Sequence, residues 1–354
     1  MDPNEILAIV KSGVTVSELS GNLAESFHQA AVSQLYAWWR SNRLIVERSW
    51  GGILDPPEMI IYSNSECLLP DDRIHLKEQV SAETLKIATW NVNSIRIRLP
   101  LILSWLTEQQ PDIVCLQETK VEDHQFPEQE IRETGYSAVF SGQKSYNGVA
   151  LLSKLPIAEI QHGFKDGYDA ENKRLMSARI AGINIVNVYV PQGQAEESPK
   201  FQYKLEFLAK LLSELCDRFT SADPVMVLGD INVAPDERDV VSAERMKNRV
   251  SFHPKEHLFI EQLKQWGLHD IYRKFHQGGG LFSWWDFRTR GFEKNEGMRI
   301  DQIWMTAGLS KLCQSCEIDI DNRSQPKPSD HAPVICVVKN LALYPTQGNK
   351  ISVQ

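Results

Sequence analysis

The sequence of 354 residues lacks the features that mark several classes of protein. No apolar run approaches the roughly 20 residues that a membrane span requires. A basic segment followed by an apolar stretch is missing from the N-terminus, so we expect a protein that is not secreted. Basic residues are not in excess, since the chain has 38 Lys and Arg and 46 Asp and Glu. This charge balance excludes a strongly cationic protein but no other class. What remains is an ordinary globular composition, long enough for one large and one small domain.

Cysteines are few and show no spacing typical of a disulfide framework. The six are Cys67, Cys115, Cys216, Cys313, Cys316 and Cys336. Most lie in apolar, strand-like runs, which indicates buried free thiols in a reducing compartment. Cys313 and Cys316 form a lone C-x-x-C without a second pair or an adjacent histidine, so we interpret them as ordinary thiols.

The chain changes character at residues 76–85, a polar and charged segment without apolar periodicity that we interpret as a linker. Before it, residues 1–75 predict a small, mainly helical appendage, which could be winged-helix-like or one of many other small folds. Its predicted helices cover residues 4–12, about 16–30 and about 31–41, and its predicted strands cover 44–50 and 59–62.

Residues 86–340 show a different pattern, in which apolar strands alternate with helices, and residues 341–354 form a polar tail. The predicted strands are 85–92, 112–118, 149–154, 183–190, 224–232, 299–306 and 333–338. Helices are predicted at 99–108 and, with a clear apolar stripe, at 200–219. This alternation predicts a layered α/β domain with helices covering sheets.

Polar side chains stand at the carboxyl ends of these apolar strands. They are Asn91, Asn93, Glu118, Tyr189, Asp230, Asn232, Asp301, Asp330 and His331. One such residue would be uninformative, because Asp and Asn commonly begin turns. Several together favour a site for a hard cation such as Mg²⁺ or Mn²⁺, which prefers oxygen ligands. A histidine beside an aspartate can act as a base or hold a phosphate, so the set predicts metal-assisted hydrolysis.

Seven segments, taken in order, make the prediction specific. They are WNVNSIRIR (90–98), LQETK (116–120), NGVALLSK (147–154), NVYVPQG (187–193), LGDINVAP (228–235), GMRIDQI (297–303) and SDHAPV (329–334). Together they resemble the exonuclease III family of apurinic/apyrimidinic endonucleases, within the endonuclease/exonuclease/phosphatase superfamily. The resemblance covers about residues 85–340 and implies a four-layered α/β sandwich, two mixed sheets flanked by helices, with the active site at one edge.

The resemblance also implies an activity. It indicates a Mg²⁺-dependent phosphodiesterase of DNA base-excision repair, with Mn²⁺ as a substitute. Such an enzyme cleaves the backbone 5′ to abasic sites and trims blocked 3′ ends or acts as a 3′→5′ exonuclease. Its partner would be duplex DNA with abasic sites or blocked 3′ ends. The enzyme would be located in the cytoplasm or associated with the nucleoid.

Roles follow from the resemblance position by position. The implied metal site comprises Asn91, Glu118, Asp230, Asn232, Asp330 and His331, with Glu118 as the principal carboxylate. Asp230 would activate water, Asn232 would bind phosphate, Tyr189 would contact the scissile phosphate or assist the leaving group, and Asp301 would orient His331. Some relatives have Asp where Asn93 stands, so the number of metal ions stays open.

Substrate contacts are expected around this set. Trp284, Met298 and Ile300 would line an apolar slot that admits a baseless deoxyribose and rejects an intact nucleotide, although FSWWDF (282–287) could also be core. Asn93, Arg96 and Lys120 are further candidates, and Lys144 and Arg290 could also contact phosphate. Solvated surface charge is the alternative for these cations.

Two other functions compete with this interpretation. Another phosphoesterase of the superfamily, acting on RNA, lipid or inositol phosphate, would share the acids, but FSWWDFRTRGF before RIDQI favours DNA. A non-catalytic DNA-binding scaffold would usually have lost one of the acids or the histidine, and here all are present. For the appendage, residues 1–84 carry 6 basic and 12 acidic residues. The excess of acidic residues opposes attraction to DNA. It therefore favours a protein-interaction or packing role for this segment over one in which Arg40, Arg43 and Arg48 approach DNA phosphate.

Overall fold

The computed structural model describes residues 83–341 in full and the backbone of residues 44–48 and 59–63. The chain divides into two compact units, residues 1–82 and 83–354. In the first, strands β1 (Leu44–Arg48) and β2 (Met59–Ser63) pair antiparallel. The helices predicted within residues 4–41 lie outside the described residues, as does all but the first residue of the tail predicted at 341–354. The winged-helix-like interpretation of residues 1–75 therefore stays a prediction.

In residues 83–341 the second unit contains two six-stranded sheets and a two-stranded ribbon. Its strands are β3 (Thr84–Asn91), β4 (Ile113–Gln117), β5 (Ser137–Ser141), β6 (Val149–Ser153), β7 (Ala158–His162), β8 (Leu175–Ile180), β9 (Ile183–Tyr189), β10 (Val225–Asp230), β11 (Leu268–Asp270), β12 (Trp284–Trp285), β13 (Gly297–Met298), β14 (Asp301–Thr306), β15 (Cys313–Ile318) and β16 (Val334–Lys339). The sheet orders are β15-β16-β3-β4-β6-β5 and β11-β14-β10-β9-β8-β7, and β12 pairs with β13. Both sheets are mixed, because β3 and β4 run parallel, as do β9 and β10, among otherwise antiparallel neighbours.

Helices pack on the outer faces of the two sheets and along their edges. In the described part of the second unit they are α1 (Ile95–Gln109), α2 (Glu128–Glu133), α3 (Pro199–Arg218), α4 (Ala243–Met246), α5 (Pro254–Trp266), α6 (Ile271–Phe275), α7 (Gly291–Lys294), α8 (Ala307–Leu312) and α9 (Ile320–Arg323). None of these described helices has the length and apolar character needed to cross a bilayer.

Helices α1 and α3 show how local sequence sets their bounds. Pro199 stands at the first position of α3, and the Ser198 side chain accepts from the Lys200 amide, which is a strong N-terminal signal. The predicted helix 200–219 is therefore present with nearly the same bounds. Helix α1 begins four residues earlier than predicted, because the amides of Ser94 and Ile95 donate to main-chain carbonyls of the segment after β4 and anchor its first turn.

Three apolar clusters hold the layers together. The central one lies between the sheets and includes Ile87, Leu151, Ile185 and Met226. A second joins α3 and α5 to the outer face of the β9–β10 sheet, and a third joins α1 to the outer face of the β3–β4 sheet. The expected four-layered sandwich is confirmed.

The free thiols largely follow the sequence interpretation. Cys115, Cys313, Cys316 and Cys336 are buried without disulfides and belong to the central apolar cluster. Cys216 departs from the expectation, because its side chain on α3 is exposed.

The register brings the predicted polar strand ends to one edge of the sandwich. Strand β3 faces β10 and β4 faces β9 across the interior, so the carboxyl ends of both parallel pairs meet there. The prediction that Asp301, Asp330 and His331 stand at carboxyl ends was wrong, since Asp301 begins β14 and the other two precede β16. They still reach this edge because β14 runs antiparallel to β10, with Asp301 opposite Asp230, and β16 runs antiparallel to β3. Gly229 allows β10 to lie close to β9 just before Asp230, since it has φ of 143° and an added Cβ would lie 1.9 Å from the carbonyl oxygen of Val188.

Candidate active site

The Asn91 side chain joins the two sheets at the centre of the site. Its Nδ2 donates to Glu118 Oε1 at 2.8 Å and to Asp230 Oδ2 at 2.9 Å. Its Oδ1 accepts from the Asn93 amide at 3.0 Å, which fixes the orientation of the carboxamide. One buried amide therefore holds together two carboxylates that come from different sheets.

Glu118 follows β4 directly and adopts the left-handed backbone region, with φ of 53°. Lys120 Nζ lies 2.7 Å from Glu118 Oε2 and donates to Asn93 Oδ1 at 2.6 Å. Burial acts to raise the pKa of Glu118, but Lys120 and the Asn91 amide outweigh it, and the pKa lies below its usual value. Glu118 is thus an ionised carboxylate at the edge of the sandwich.

Asp230 has a different environment, because it is almost completely buried. Burial raises the pKa of Asp230 to about 8, the carboxylates of Asp301 and Glu118 act in the same direction, and His331 opposes them. Its Oδ1 accepts from the Asn232 amide at 3.0 Å, and Asn232 Nδ2 donates to the Val190 carbonyl at 2.9 Å. The turn after β10 is therefore tied both to Asp230 and to the end of β9.

His331 and Asp301 form a buried pair. His331 Nδ1 lies 2.8 Å from Asp301 Oδ2, and the Ser283 hydroxyl donates to the same oxygen at 2.7 Å. His331 Nε2 faces Asp230 Oδ2 at 3.9 Å. Burial alone would lower the pKa of His331, but the carboxylates of Asp301 and Asp230 raise it to about 10. The imidazole is therefore a cation at neutral pH, directed at Asp230.

Ligand atoms of Glu118, Asp230 and His331 all lie within 4.8 Å of one another. The acidic part of this cluster fits a divalent cation, since two carboxylates converge where a positive charge would relieve their repulsion. His331 fits less well as a ligand, because Mg²⁺ prefers oxygen donors and Nδ1 of the ring is already bound to Asp301 Oδ2. Asp330 stands beside the cluster, where its oxygens accept from Asn93 Nδ2 at 2.8 Å and from Trp284 Nε1 at 3.0 Å.

Tyr189 ends β9 directly beside Asp230 in the parallel register. Burial first, and then the charges of Glu118 and Asp230, raise its pKa well above the usual value, while the Arg174 guanidinium acts in the opposite direction. That guanidinium lies 4.6 Å from the centre of the Tyr189 ring. The phenol is therefore a neutral hydrogen-bond donor.

The apolar residues predicted to line a slot pack together. Trp284 pairs with Met298 across the β12–β13 ribbon, and both pack with Ile300 against Ala234, Val240 and Phe252. Ile300 is buried, whereas Trp284 and Met298 are half-buried and present part of their surface. The Trp284 ring centre lies 6.5 Å from that of His331, so this apolar patch adjoins the polar cluster.

Among the cations predicted within residues 83–341, Lys120 alone contacts the cluster. Arg96, Lys144 and Arg290 are exposed. Arg98, which sequence reasoning missed, lies at the site instead, where its NH1 donates to the Asn93 carbonyl at 2.7 Å. Its Nε and NH2 donate to the Pro328 carbonyl at 3.1 and 3.0 Å. No signal in the sequence favoured Arg98 over Arg96, because the choice depends on where α1 begins.

Two serines were also missed. Ser283, within FSWWDF, hydrogen-bonds Asp301 as described above. The Ser329 hydroxyl donates to the Asn91 carbonyl at 2.7 Å and accepts from the His331 amide at 3.2 Å. It therefore links the segment that carries the histidine to the strand that carries the central amide.

Several known proteins are similar to this chain in sequence and in architecture. The Endonuclease/Exonuclease/phosphatase family matches residues 88–331. Exodeoxyribonuclease III of Haemophilus influenzae is 33% identical over 262 residues, which are 71% of this chain and 98% of that protein. A solved AP endonuclease from Archaeoglobus fulgidus is 41% identical, with a TM-score of 0.70 over 72% of this chain and 99% of that one. A variant of the 3′ phosphatase NExo from Neisseria, solved bound to product DNA hairpin, is 34% identical, with a TM-score of 0.69 over 71% and 98%. The chain belongs to the endonuclease/exonuclease/phosphatase family, among its DNA nucleases of the exodeoxyribonuclease III type.

Proposed function

We propose that this chain is a Mg²⁺-dependent phosphodiesterase of DNA base-excision repair. It cleaves the backbone 5′ to abasic sites and also removes blocking groups or nucleotides from 3′ ends. The observation that carries the proposal is the convergence of Glu118, Asp230 and His331 at the sandwich edge. The relatives support the substrate, since they are described as an exodeoxyribonuclease, an AP endonuclease and a 3′ phosphatase bound to product DNA.

The residues that would hold Mg²⁺ through oxygen are Glu118, Asp230, Asn232 and Asp330. Asn91, which the resemblance implied as a ligand, presents Nδ2 to both carboxylates while its Oδ1 accepts from the Asn93 amide, so it would orient the ligands instead. Mn²⁺ would substitute, because both ions prefer oxygen donors. When bound, the cation supplies positive charge to the scissile phosphate and so stabilises the charge that develops there. Glu118 is the main ligand in this proposal, since it is ionised and partly exposed at the site.

The chain's own residues then divide the remaining work. Asp230 would take the proton of the attacking water in its ionised form, which a cation held beside it would favour by lowering the pKa that burial raises. The His331 imidazolium, oriented by Asp301, would donate to a non-bridging phosphate oxygen. Tyr189 would donate its phenol hydrogen bond to the same phosphate or to the leaving oxygen.

Lesion preference would arise from the patch formed by Trp284, Met298 and Ile300. A baseless deoxyribose offers an apolar face to such a slot, and it leaves the duplex at low cost because no base is stacked. The hydrogen bond from Trp284 to Asp330 fixes the slot relative to the polar cluster. Specificity and chemistry are therefore built on adjoining residues.

Removing the metal or its main ligand should abolish the activity. In excess chelator the enzyme should not cleave a duplex with an abasic analogue, and Mg²⁺ or Mn²⁺ should restore cleavage. Glu118→Gln should lower turnover by at least about 10²-fold, because it removes charge from the cation site without changing its shape. Cleavage assays under single-turnover conditions measure both effects. The matched control is Glu130→Gln, at an exposed glutamate on α2. Full activity in chelator would refute the metal requirement.

His331 and Asp301 should behave as one unit. His331→Asn and Asp301→Asn should each lower kcat by on the order of 10²–10⁴, because the first removes the imidazolium and the second removes the carboxylate that orients it and keeps it protonated. The double variant should be no slower than the worse single variant, since residues that act together give non-additive effects. His162→Asn, at an exposed histidine on β7, serves as the control. Losses that multiply in the double variant would show that the two residues act independently.

Trp284 should control discrimination between abasic and intact DNA. Trp284→Ala enlarges the slot and should reduce the ratio of kcat/KM for abasic over undamaged duplex by roughly 10-fold or more. Trp284→Phe keeps an aromatic wall but lacks the donor to Asp330, so it separates slot shape from that hydrogen bond. Faster cleavage of undamaged DNA or RNA than of abasic duplex by the wild-type enzyme would overturn the proposed substrate.

A further inference from the structure

Lys204 and Glu256 form an ion pair with no solvent exposure, between α3 and α5. The Lys204 ammonium has three donors. One faces the Glu256 carboxylate, one donates to the Asn232 carbonyl at 2.6 Å, and one donates to the Gln192 carbonyl at 3.3 Å. All three donors of the buried ammonium are therefore used, two of them on main-chain oxygens.

Those two carbonyls belong to the turns that carry catalytic groups. Asn232 lies two residues after Asp230, and Gln192 lies three residues after Tyr189. Asn232 has φ of 54°, a backbone region that costs free energy for any residue with a side chain. The Lys204 ammonium thus holds the oxygen of a strained residue whose own amide donates to Asp230 Oδ1.

Glu256 connects this arrangement to the start of α5. Its carboxylate accepts from the amides of Ser251 at 3.2 Å and His253 at 3.0 Å. The Ser251 carbonyl in turn accepts from the Ala234 amide at 2.7 Å, and His257 Nε2 lies 3.0 Å from the Ala234 carbonyl. The first turn of α5 therefore binds the chain that leaves the site after Asn232.

The charge of the ammonium also reaches the site. Burial lowers the pKa of Lys204, while the carboxylates of Glu256 and Asp230 act in the opposite direction. A buried ion pair is a poor source of stability, because desolvation offsets most of its attraction and apolar residues of similar volume often do as well. Apolar replacements would, however, leave the Asn232 and Gln192 carbonyls without their donor.

We propose that Lys204, held by Glu256, is a positioning residue that fixes the turns bearing Asp230 and Tyr189 in their reactive geometry. The inference deepens the proposed function and rests on it for its catalytic readout. Since a displacement of about 1 Å can cost on the order of 10²-fold in rate, loss of this anchor should lower kcat without a matching change in KM.

The test compares stability with turnover in the full chain. Lys204→Met should lower the thermal midpoint strongly, because it leaves Glu256 buried without a partner. Lys204→Met/Glu256→Gln removes both charges and keeps an acceptor for one of the Ser251 and His253 amides, so it should recover part of the lost midpoint. Its kcat on an abasic duplex should nevertheless stay at least about 10-fold below wild type, with KM within about twofold.

Hydrogen exchange gives a readout that does not depend on catalysis. The amides of Asn232 and Val190, which donate to Asp230, should exchange faster in the double variant than in wild type. If the wild-type chain cleaves no DNA, the proposed function fails, but the exchange rates of these two amides still test whether Lys204 positions the turns. Unchanged exchange would overturn it.

Lys274 provides the matched control, since its ammonium donates to the carbonyls of Ser310 at 2.6 Å and Cys313 at 2.9 Å, away from the catalytic turns. Lys274→Met should keep the wild-type kcat. Should the double variant not fold, Lys204→Arg keeps the charge but presents a planar set of donors, and it should show the same loss of kcat. If the thermal midpoint and kcat recover together in the double variant, or if Lys204→Arg keeps the wild-type kcat, Lys204 and Glu256 form only a structural pair.

Discussion

The meeting of two parallel strand pairs at one edge of the sandwich is the constraint on which the rest of the structure depends. Because β3 and β4 lie in one sheet and β9 and β10 in the other, their carboxyl ends can supply the site with polar groups from both layers. The Asn91 amide then spans the gap and accommodates the carboxylates of Glu118 and Asp230 at once. A charged residue in its place would repel or overcompensate one of them, so a neutral donor suits this position.

The charges of the side chains at this edge depend on how deeply each one is buried, and the depth of burial changes over a short distance. Glu118, beside Lys120 and near solvent, is ionised, whereas fully buried Asp230 holds its proton more strongly. His331 takes the opposite charge because Asp301 lies against its inner nitrogen. The site therefore presents an anionic half that suits a cation and a cationic half that suits a phosphate. These two halves are what hydrolysis of a phosphodiester requires.

Much of this could be predicted from the sequence, because a buried strand that ends in a polar residue places that residue at the sheet rim. Glu118 and Asp230 were identified in this way, whereas Asp301 begins its strand and was placed at the site, like the four-layered fold, by the family resemblance. Arg98 could not be chosen over Arg96 before the start of α1 was known. Lys204 and Glu256 lie 52 positions apart within amphipathic helices, where charged residues normally face water. Only the packing of α3 on α5 turns both inward.

The position and chemistry of the cut test the central claim most directly. A duplex carrying one abasic site, labelled at each end of the damaged strand, can be incubated with the enzyme and Mg²⁺ and its fragments identified by mass. If the site at the edge of the sandwich hydrolyses the DNA backbone, we expect a single cut 5′ to the lesion. This cut leaves a 3′-hydroxyl on one fragment and a 5′-deoxyribose phosphate on the other. A cut 3′ to the lesion with an unsaturated sugar end, or cleavage that persists in Glu118→Gln, would contradict the account.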